Sequence, residues 1–322
     1  MRRALLCALS LAMAVAPWAR AEAEPYPGAL LAPANRQAAW LSLEAPRPRA
    51  ITRVVAPSYV ADVAANAHGA VVIALYSPLD DRIGGDILRL DTATGDMTKL
   101  AGRQDRGESL GWPTWAADRV LFQREDLRAP AMGYAYQSAA RFPSRVDAVQ
   151  VDGSGRTTIV DDARQPDASL DGAQITYVRS SNSGTALLVR STDALDEREL
   201  IPAGALVDVG SPRFSPSGDQ IAFAVATPFV GHQSLSLLDR LLGVRTAEAH
   251  GLPWDVWLIG TDGSNPHLLA NLGADDPSLV WSPDGRQLFV YGGTGSFIVD
   301  VASGDTARYP YLTGYGLAAW LP

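Results

Sequence analysis

With 322 residues, 47% hydrophobic and 19% charged, the chain carries enough apolar side chains to bury a large core, which excludes a wholly disordered polypeptide. A single cysteine excludes a disulfide-stapled scaffold. The formal charge of −8, from 27 Lys and Arg against 35 Asp and Glu with no basic run, argues against nucleic acid as a partner.

The first element in chain order is an export signal. Arg2 and Arg3 precede an apolar run over residues 4–16, and Ala19-Arg20-Ala21 offers the small-x-small pattern of a cleavage site. Cleavage after Ala21 leaves residues 22–322 as one domain. Cys7 is lost with the signal, since residues 4–6 lack the small residue a lipobox needs before its cysteine. Loss of Arg2, Arg3 and Arg20 takes the formal charge from −8 to −11. No later segment approaches the roughly 18 apolar residues of a membrane span, so no transmembrane segment is expected in the mature chain.

One unit then recurs along the chain. Pro212-Arg213-Phe214-Ser215-Pro216-Ser217-Gly218 followed by residues 220–225 returns as Leu279-Val280-Trp281-Ser282-Pro283-Asp284-Gly285 followed by residues 287–291. Weaker copies occupy residues 63–75, 113–123 and 166–178. Each reads as strand, tight turn, strand, with Pro fixing one φ angle and Gly accepting a positive one. A second hairpin follows each copy, as in residues 86–100, 148–160, 256–270 and 297–309, with a longer turn between residues 190 and 199. The turn positions Gly69, Asp118, Gly172, Gly218 and Gly285 are spaced 49, 54, 46 and 67 residues apart. Four antiparallel strands per unit at this period predict the radially stacked blades of a β-propeller.

The two ends supply a sixth blade. Residues 317–322 look like one more first strand, while residues 38–43 match a third strand and 50–55 a fourth. The predicted fold is therefore all-β: a six-bladed β-propeller of four-stranded antiparallel blades, closed by pairing N- and C-terminal strands, which removes the exposed edges of an open array.

The Ser-Pro-Ser-Gly and Ser-Pro-Asp-Gly hairpins, the strand after each (Ile221-Ala222-Phe223), and the later hairpin of residues 256–264 resemble the repeat of the TolB-like six-bladed propellers over residues 28–322. The resemblance implies the fold, an exported bacterial protein, and binding to proteins or peptides. The α/β domain that TolB carries before its propeller has no counterpart here, since fewer than 20 residues separate Glu22 from the first strand pattern.

Motifs of catalysis and metal binding are weak. Residues 107–111 satisfy G-x-S-x-G, but residues 102–106 are polar rather than a buried strand, and Gly111-Trp112-Pro113 cannot open the required helix, so these residues read as an inter-blade loop. His68, His232, His250 and His267 have no metal-site spacing. The first-strand positions that would line the channel are mainly apolar (Ala64, Trp115, Phe214, Trp281, Trp320), with Arg213 the exception. Asp208 and Asp275 precede two first strands and would stand at the channel mouth, where a pair of carboxylates could hold a cation or remain solvated acids.

Insertions between second and third strands, over residues 77–85, 124–145 and 226–253, all emerge on one rim, where per-repeat insertions commonly map to a binding face. Residues 124–145 contain Met132, Tyr134, Tyr136, Phe142 and four arginines (Arg124, Arg128, Arg141, Arg145), a composition enriched at protein interfaces. Residues 234–243, in the blade-4 insertion, read as a short Ser-capped helix with Leu235, Leu238, Leu241 and Leu242 on one stripe, packed over the channel mouth or docked to a partner.

The expectation is a periplasmic or secreted monomer, a non-catalytic module that binds a protein or peptide of the cell envelope through this rim. Tyr134, Tyr136, Arg141, His232, Arg240, Asp208 and Asp275 are its candidate contacts. No cofactor is assigned. The alternatives are a hydrolase or lyase acting on peptide or saccharide in the channel, or a propeller that binds calcium or a small molecule.

Overall fold

The computed structural model describes residues 29–41, 47–129, 142–192, 196–227, 252–309 and 312–321. The export signal, the helix expected at 234–243, and Tyr134, Tyr136, Arg141, His232 and Arg240 lie outside these residues.

Twenty-four strands are described, in six four-stranded antiparallel sheets. The chain begins with β1 (Ala29–Ala34), β2 (Gln37–Leu41) and β3 (Arg49–Ala50). Blade 1 is β4 (Tyr59–Ala65), β5 (Val71–Leu79), β6 (Arg82–Leu90) and β7 (Met97–Ala101). Blade 2 is β8 (Glu108–Ala116), β9 (Arg119–Asp126), β10 (Ser144–Gln150) and β11 (Thr157–Asp161). Blade 3 is β12 (Arg164–Ala168), β13 (Gln174–Ser181), β14 (Gly184–Ser191) and β15 (Arg198–Ile201). Blade 4 is β16 (Val209–Phe214), β17 (Gln220–Ala226), β18 (Pro253–Gly260) and β19 (His267–Asp275). Blade 5 is β20 (Ser278–Trp281), β21 (Gln287–Gly292), β22 (Gly295–Asp300) and β23 (Thr306–Tyr309). The last strand, β24 (Ala319–Leu321), pairs with β1 and completes blade 6 in the order β24-β1-β2-β3.

That pairing closes the ring. Leu30 lies opposite Trp320, and Leu31 stands between Ala319 on one side and Trp40 on the other. The apolar residues of both sheet faces are used, because each blade covers its neighbours. Tyr177 and Leu188 of blade 3 pack with Val146 and Leu121 of blade 2, and Leu31 of blade 6 packs with Val63 and Ile73 of blade 1.

The tight turns repeat at the level of single hydrogen bonds. Ser215 and Ser282 accept Gly218 N–H and Gly285 N–H on their carbonyls, both at 2.9 Å. Their hydroxyls accept Gln220 N–H (3.1 Å) and Gln287 N–H (2.9 Å). Ser282 Oγ donates to Asp284, Ser169 Oγ to Asp171, and Ser215 Oγ to Asp219. Gly218 and Gly285 have φ of 77° and 72°, which only glycine adopts without strain.

Two strands differ from the sequence reading. Residues 77–85 are no loop insertion: β5 and β6 continue the ladder to Leu79 opposite Arg82, and only Asp80 and Asp81 turn. The expected fourth strand over residues 50–55 stops at Ala50, because the Gln37 side chain takes over its hydrogen bonds. Gln37 Oε1 accepts from Thr52 Oγ1 and Val54 N–H, both at 2.8 Å.

Leu31 is fully buried, so Leu31→Ala is expected to lower unfolding free energy by about 2–5 kcal/mol, read by urea denaturation. Hydrogen bonds from serine hydroxyls hold the Asp171, Asp219 and Asp284 carboxyls below the usual range, with Ser217 ahead of Ser215 at Asp219. Stability from a depressed carboxyl is present above its unfolded value near 4 and is lost as pH falls through the folded value. The melting temperature is therefore expected to drop below about pH 4, and a triple Asp→Asn variant at these positions to show a shallower drop.

Candidate functional site

The first strands of the blades, β24, β4, β8, β12, β16 and β20, surround the central channel. They run in one direction, so their starts lie on the rim of the long connections and their ends at the tight turns. In blades 2, 3 and 4 the strand is interrupted by an X-Pro pair: Trp112-Pro113, Gln165-Pro166 and Ser211-Pro212. Proline has no N–H for the ladder, and the register shifts there in each blade. Trp112, Gln165 and Ser211 take φ of 51°, 53° and 50°, a left-handed conformation that costs a non-glycine residue about 1–3 kcal/mol.

What offsets that cost is a belt of hydrogen bonds from blade to blade. Asp62 Oδ2 of blade 1 accepts Trp112 N–H of blade 2 at 2.9 Å. Gln123 Oε1 accepts Gln165 N–H, and Gln165 Oε1 accepts Ser211 N–H, each at 2.9 Å. Ser211 Oγ accepts Leu279 N–H of blade 5 at 3.1 Å, and Ser278 Oγ donates to the Gly316 carbonyl at 2.7 Å. Leu317 N–H returns to Asp62 Oδ1 at 2.9 Å, so every blade gap is bridged and the circuit ends where it began.

A second polar layer lies one step nearer the tight turns. Asp167 Oδ1 accepts from Thr114 Oγ1 and its Oδ2 accepts Phe214 N–H, both at 2.8 Å. Arg213 donates through Nε to the Leu279 carbonyl (3.0 Å) and through Nη1 to the Pro212 (3.0 Å) and Pro166 (3.4 Å) carbonyls. Its guanidinium is 3.8 Å from Asp167 and stacks over Trp112 at 5.6 Å. Burial pushes the Asp62 and Asp167 carboxyls up, against the opposing pull of their backbone hydrogen bonds and of Arg213.

Above this floor the channel widens into a cavity of about 570 Å³ that is lined by the strand ends and the tight turns. The first-strand residues named from the sequence, Ala64, Trp115, Phe214, Trp281, Trp320 and Arg213, all line it, and His68 stands at its edge. Sequence reasoning missed Asp62, Gln123, Gln165 and Asp167. The signal available for the belt was the X-Pro pair recurring ahead of successive turns.

The opposite rim holds the other candidates. Asp208 is 1% exposed, accepts Val209 N–H and lies 3.8 Å from Arg164. Asp275 is 6% exposed and accepts Tyr315 Oη at 2.7 Å. The two carboxylates are thus engaged by the protein itself. Of the arginines expected on the insertion over residues 124–145, Arg124 and Arg145 stand opposite each other in the β9–β10 ladder, Arg124 pairing with Glu108 and Arg145 with Asp147 at 3.5 Å, while Arg128 pairs with Asp126 at 2.9 Å. Leu79, Ile83 and Tyr315 on this rim are exposed.

The G-x-S-x-G residues are not an inter-blade loop: Glu108–Ala116 is a first strand, and Ser109 is buried, accepting Gly85 N–H at 3.2 Å. Among the described residues no group of three or more His, Cys, Asp or Glu is placed to hold a metal ion, and no helix is long and apolar enough to cross a membrane.

Six closed blades with four strands each define a β-propeller, and its TolB-like form is matched by solved structures. TolB from Acinetobacter baumannii superposes with a TM-score of 0.64 at 14% identity, over 92% of this chain and 67% of that one. A chain of a nidogen/laminin complex superposes with a TM-score of 0.62 at 13% identity, over 90% of this chain and 97% of that one. No protein-family model and no curated protein matches the sequence.

The belt can be tested at Asp62. Asp62→Ala orphans two buried backbone N–H groups and leaves Arg213 with one carboxylate fewer, a cost of about 2–5 kcal/mol. Asp62→Asn keeps one acceptor oxygen and is expected to lose less than Asp62→Ala in urea denaturation.

Proposed function

We propose that this chain is an exported, non-catalytic binding module that holds a protein or peptide of the cell envelope on the rim of the long connections. The observation that carries this reading is the sorting of the connections on a rigid ring. The connections from β9 to β10 (residues 127–143) and from β17 to β18 (residues 227–252) each join a second strand to a third, so the strand ends that carry them stand on the same rim as the β5–β6 hairpin. Exposed Leu79 (37%) and Ile83 (46%) on the β5–β6 hairpin and Tyr315 (52%) ahead of β24 are apolar side chains presented on that rim. The Arg82 guanidinium donates to the Leu127 carbonyl at 2.8 Å and ties the hairpin tip to the base of the next blade's connection.

In this reading Tyr134, Tyr136, Arg141, His232 and Arg240 make the contact, and Asp208 and Asp275 brace the base of the rim from within. Protein association in the nidogen/laminin complex, by a chain of the same fold, supports the assignment by analogy of fold. The leader over residues 1–21 supports export, and the protein acts as a monomer.

The test is crosslinking of the purified mature chain to an envelope fraction, repeated with three variants. Replacing residues 130–141 by a short Gly-Ser link, and the pair Leu79→Asp/Ile83→Asp, are both expected to cut recovery of the same partner by about tenfold. Leu170→Asp, on the tight-turn face, is expected to leave recovery unchanged. Equal recovery from all three would overturn the assignment of the rim.

A further inference from the structure

We propose that the channel cavity on the tight-turn face is a second site, which binds a small uncharged aromatic molecule carrying a carbonyl-type acceptor. The cavity of about 570 Å³ is within the range of small-molecule pockets. Its walls are Trp115, Phe214, Trp281 and Trp320, faces suited to a flat apolar body.

The acceptor requirement comes from the floor. Arg213 is 8% exposed and lines the cavity, yet its hydrogen bonds use only Nε and Nη1. Nη2 has no acceptor among the described residues. Trp115 Nε1 is likewise buried without a partner. Every carboxylate oxygen nearby already accepts one hydrogen bond: Thr114 Oγ1 and Phe214 N–H donate to Asp167, and Trp112 N–H and Leu317 N–H donate to Asp62. An open donor beside acceptors already engaged favours a ligand that accepts.

The charge requirement comes from the same groups. The charged groups lining the cavity are Arg213 and Asp167, which stand 3.8 Å apart as an ion pair with no net charge. An anion would be repelled by Asp167 and a cation by Arg213, so a neutral ligand is favoured. The surroundings of the mouth favour a small molecule over a protein. Among the described residues the large apolar side chains exposed on this face are Val151, Leu170 and Leu268, one each from blade 2, blade 3 and blade 4, with Leu170 lining the cavity itself.

The experiment is ligand-detected saturation-transfer NMR on the intact mature protein with four probes: N-methyl-2-naphthamide, naphthalene, 2-naphthoate and 2-naphthylmethylammonium. The amide is expected to saturate and to bind about tenfold or more tightly than the other three, since it alone pairs a neutral body with a carbonyl for Arg213. Ala64→Phe and Val280→Phe each fill the cavity from its wall. Either variant, once its melting curve shows it folded, is expected to weaken the amide by about tenfold or more. The rim pair Leu79→Asp/Ile83→Asp is expected to leave amide binding unchanged, which separates this site from the rim. Absence of saturation, an equal or tighter fit of the hydrocarbon or either ion, or undiminished binding in both folded cavity-filling variants would overturn the proposal.

Discussion

Everything in this molecule depends on the circuit of hydrogen bonds that runs around the channel through Asp62, Gln123, Gln165, Ser211 and Ser278. A propeller has no covalent closure, and each blade packs its sheet faces against its two neighbours, so relative rotation of blades is its softest motion. Apolar clusters between sheets resist separation but are tolerant of sliding. Directional bonds to buried backbone N–H groups are not, because each broken one leaves a desolvated donor. The belt therefore fixes the angle between blades, and with it the width of the channel.

The same belt explains the local strain. X-Pro pairs remove a ladder donor and bend the first strand away from its neighbour in the sheet. The residue before the proline then turns its N–H outward, across the blade gap, where a side chain of the preceding blade accepts it. Left-handed φ at Trp112, Gln165 and Ser211 is the geometric condition for that bond. In blade 6 the link runs the other way, Leu317 N–H reaching Asp62 of the next blade, and Gly316 supplies a φ of 98° beside it.

Strand direction separates the two faces of the disc. The first strands of blades 1 to 5 end at tight turns, Ser-Pro in blades 4 and 5, and β24 runs the same way, so their apolar last residues gather around one mouth, over the buried pair of Arg213 and Asp167. They begin at the other rim, where the second-to-third connections also emerge and where Asp208 and Asp275 are consumed in internal bonds. Two kinds of surface, a walled cavity and a rim of connections, thus follow from a single orientation shared by six strands, which is why the proposed partner contact and the proposed ligand pocket fall on opposite sides.

The repeat, the blade count and the divided sixth blade were legible in the residues alone, because tight turns such as Ser-Pro-x-Gly and strand alternation are local and each turn folds from its own few residues. The sequence also named the lining of the cavity, since Trp115, Phe214 and Trp281 occupy one position relative to their turns and Trp320 the matching position in the last first-strand pattern. It misread residues 77–85, where ladder pairing outruns the turn signal, and residues 50–55, where Gln37 intercepts the ladder. The belt, the engagement of Asp208 and Asp275 and the burial of Ser109 emerge from packing between blades. Those depend on which backbone group of one blade faces which side chain of the next, a relation between residues some 40 to 255 positions apart that no local pattern encodes.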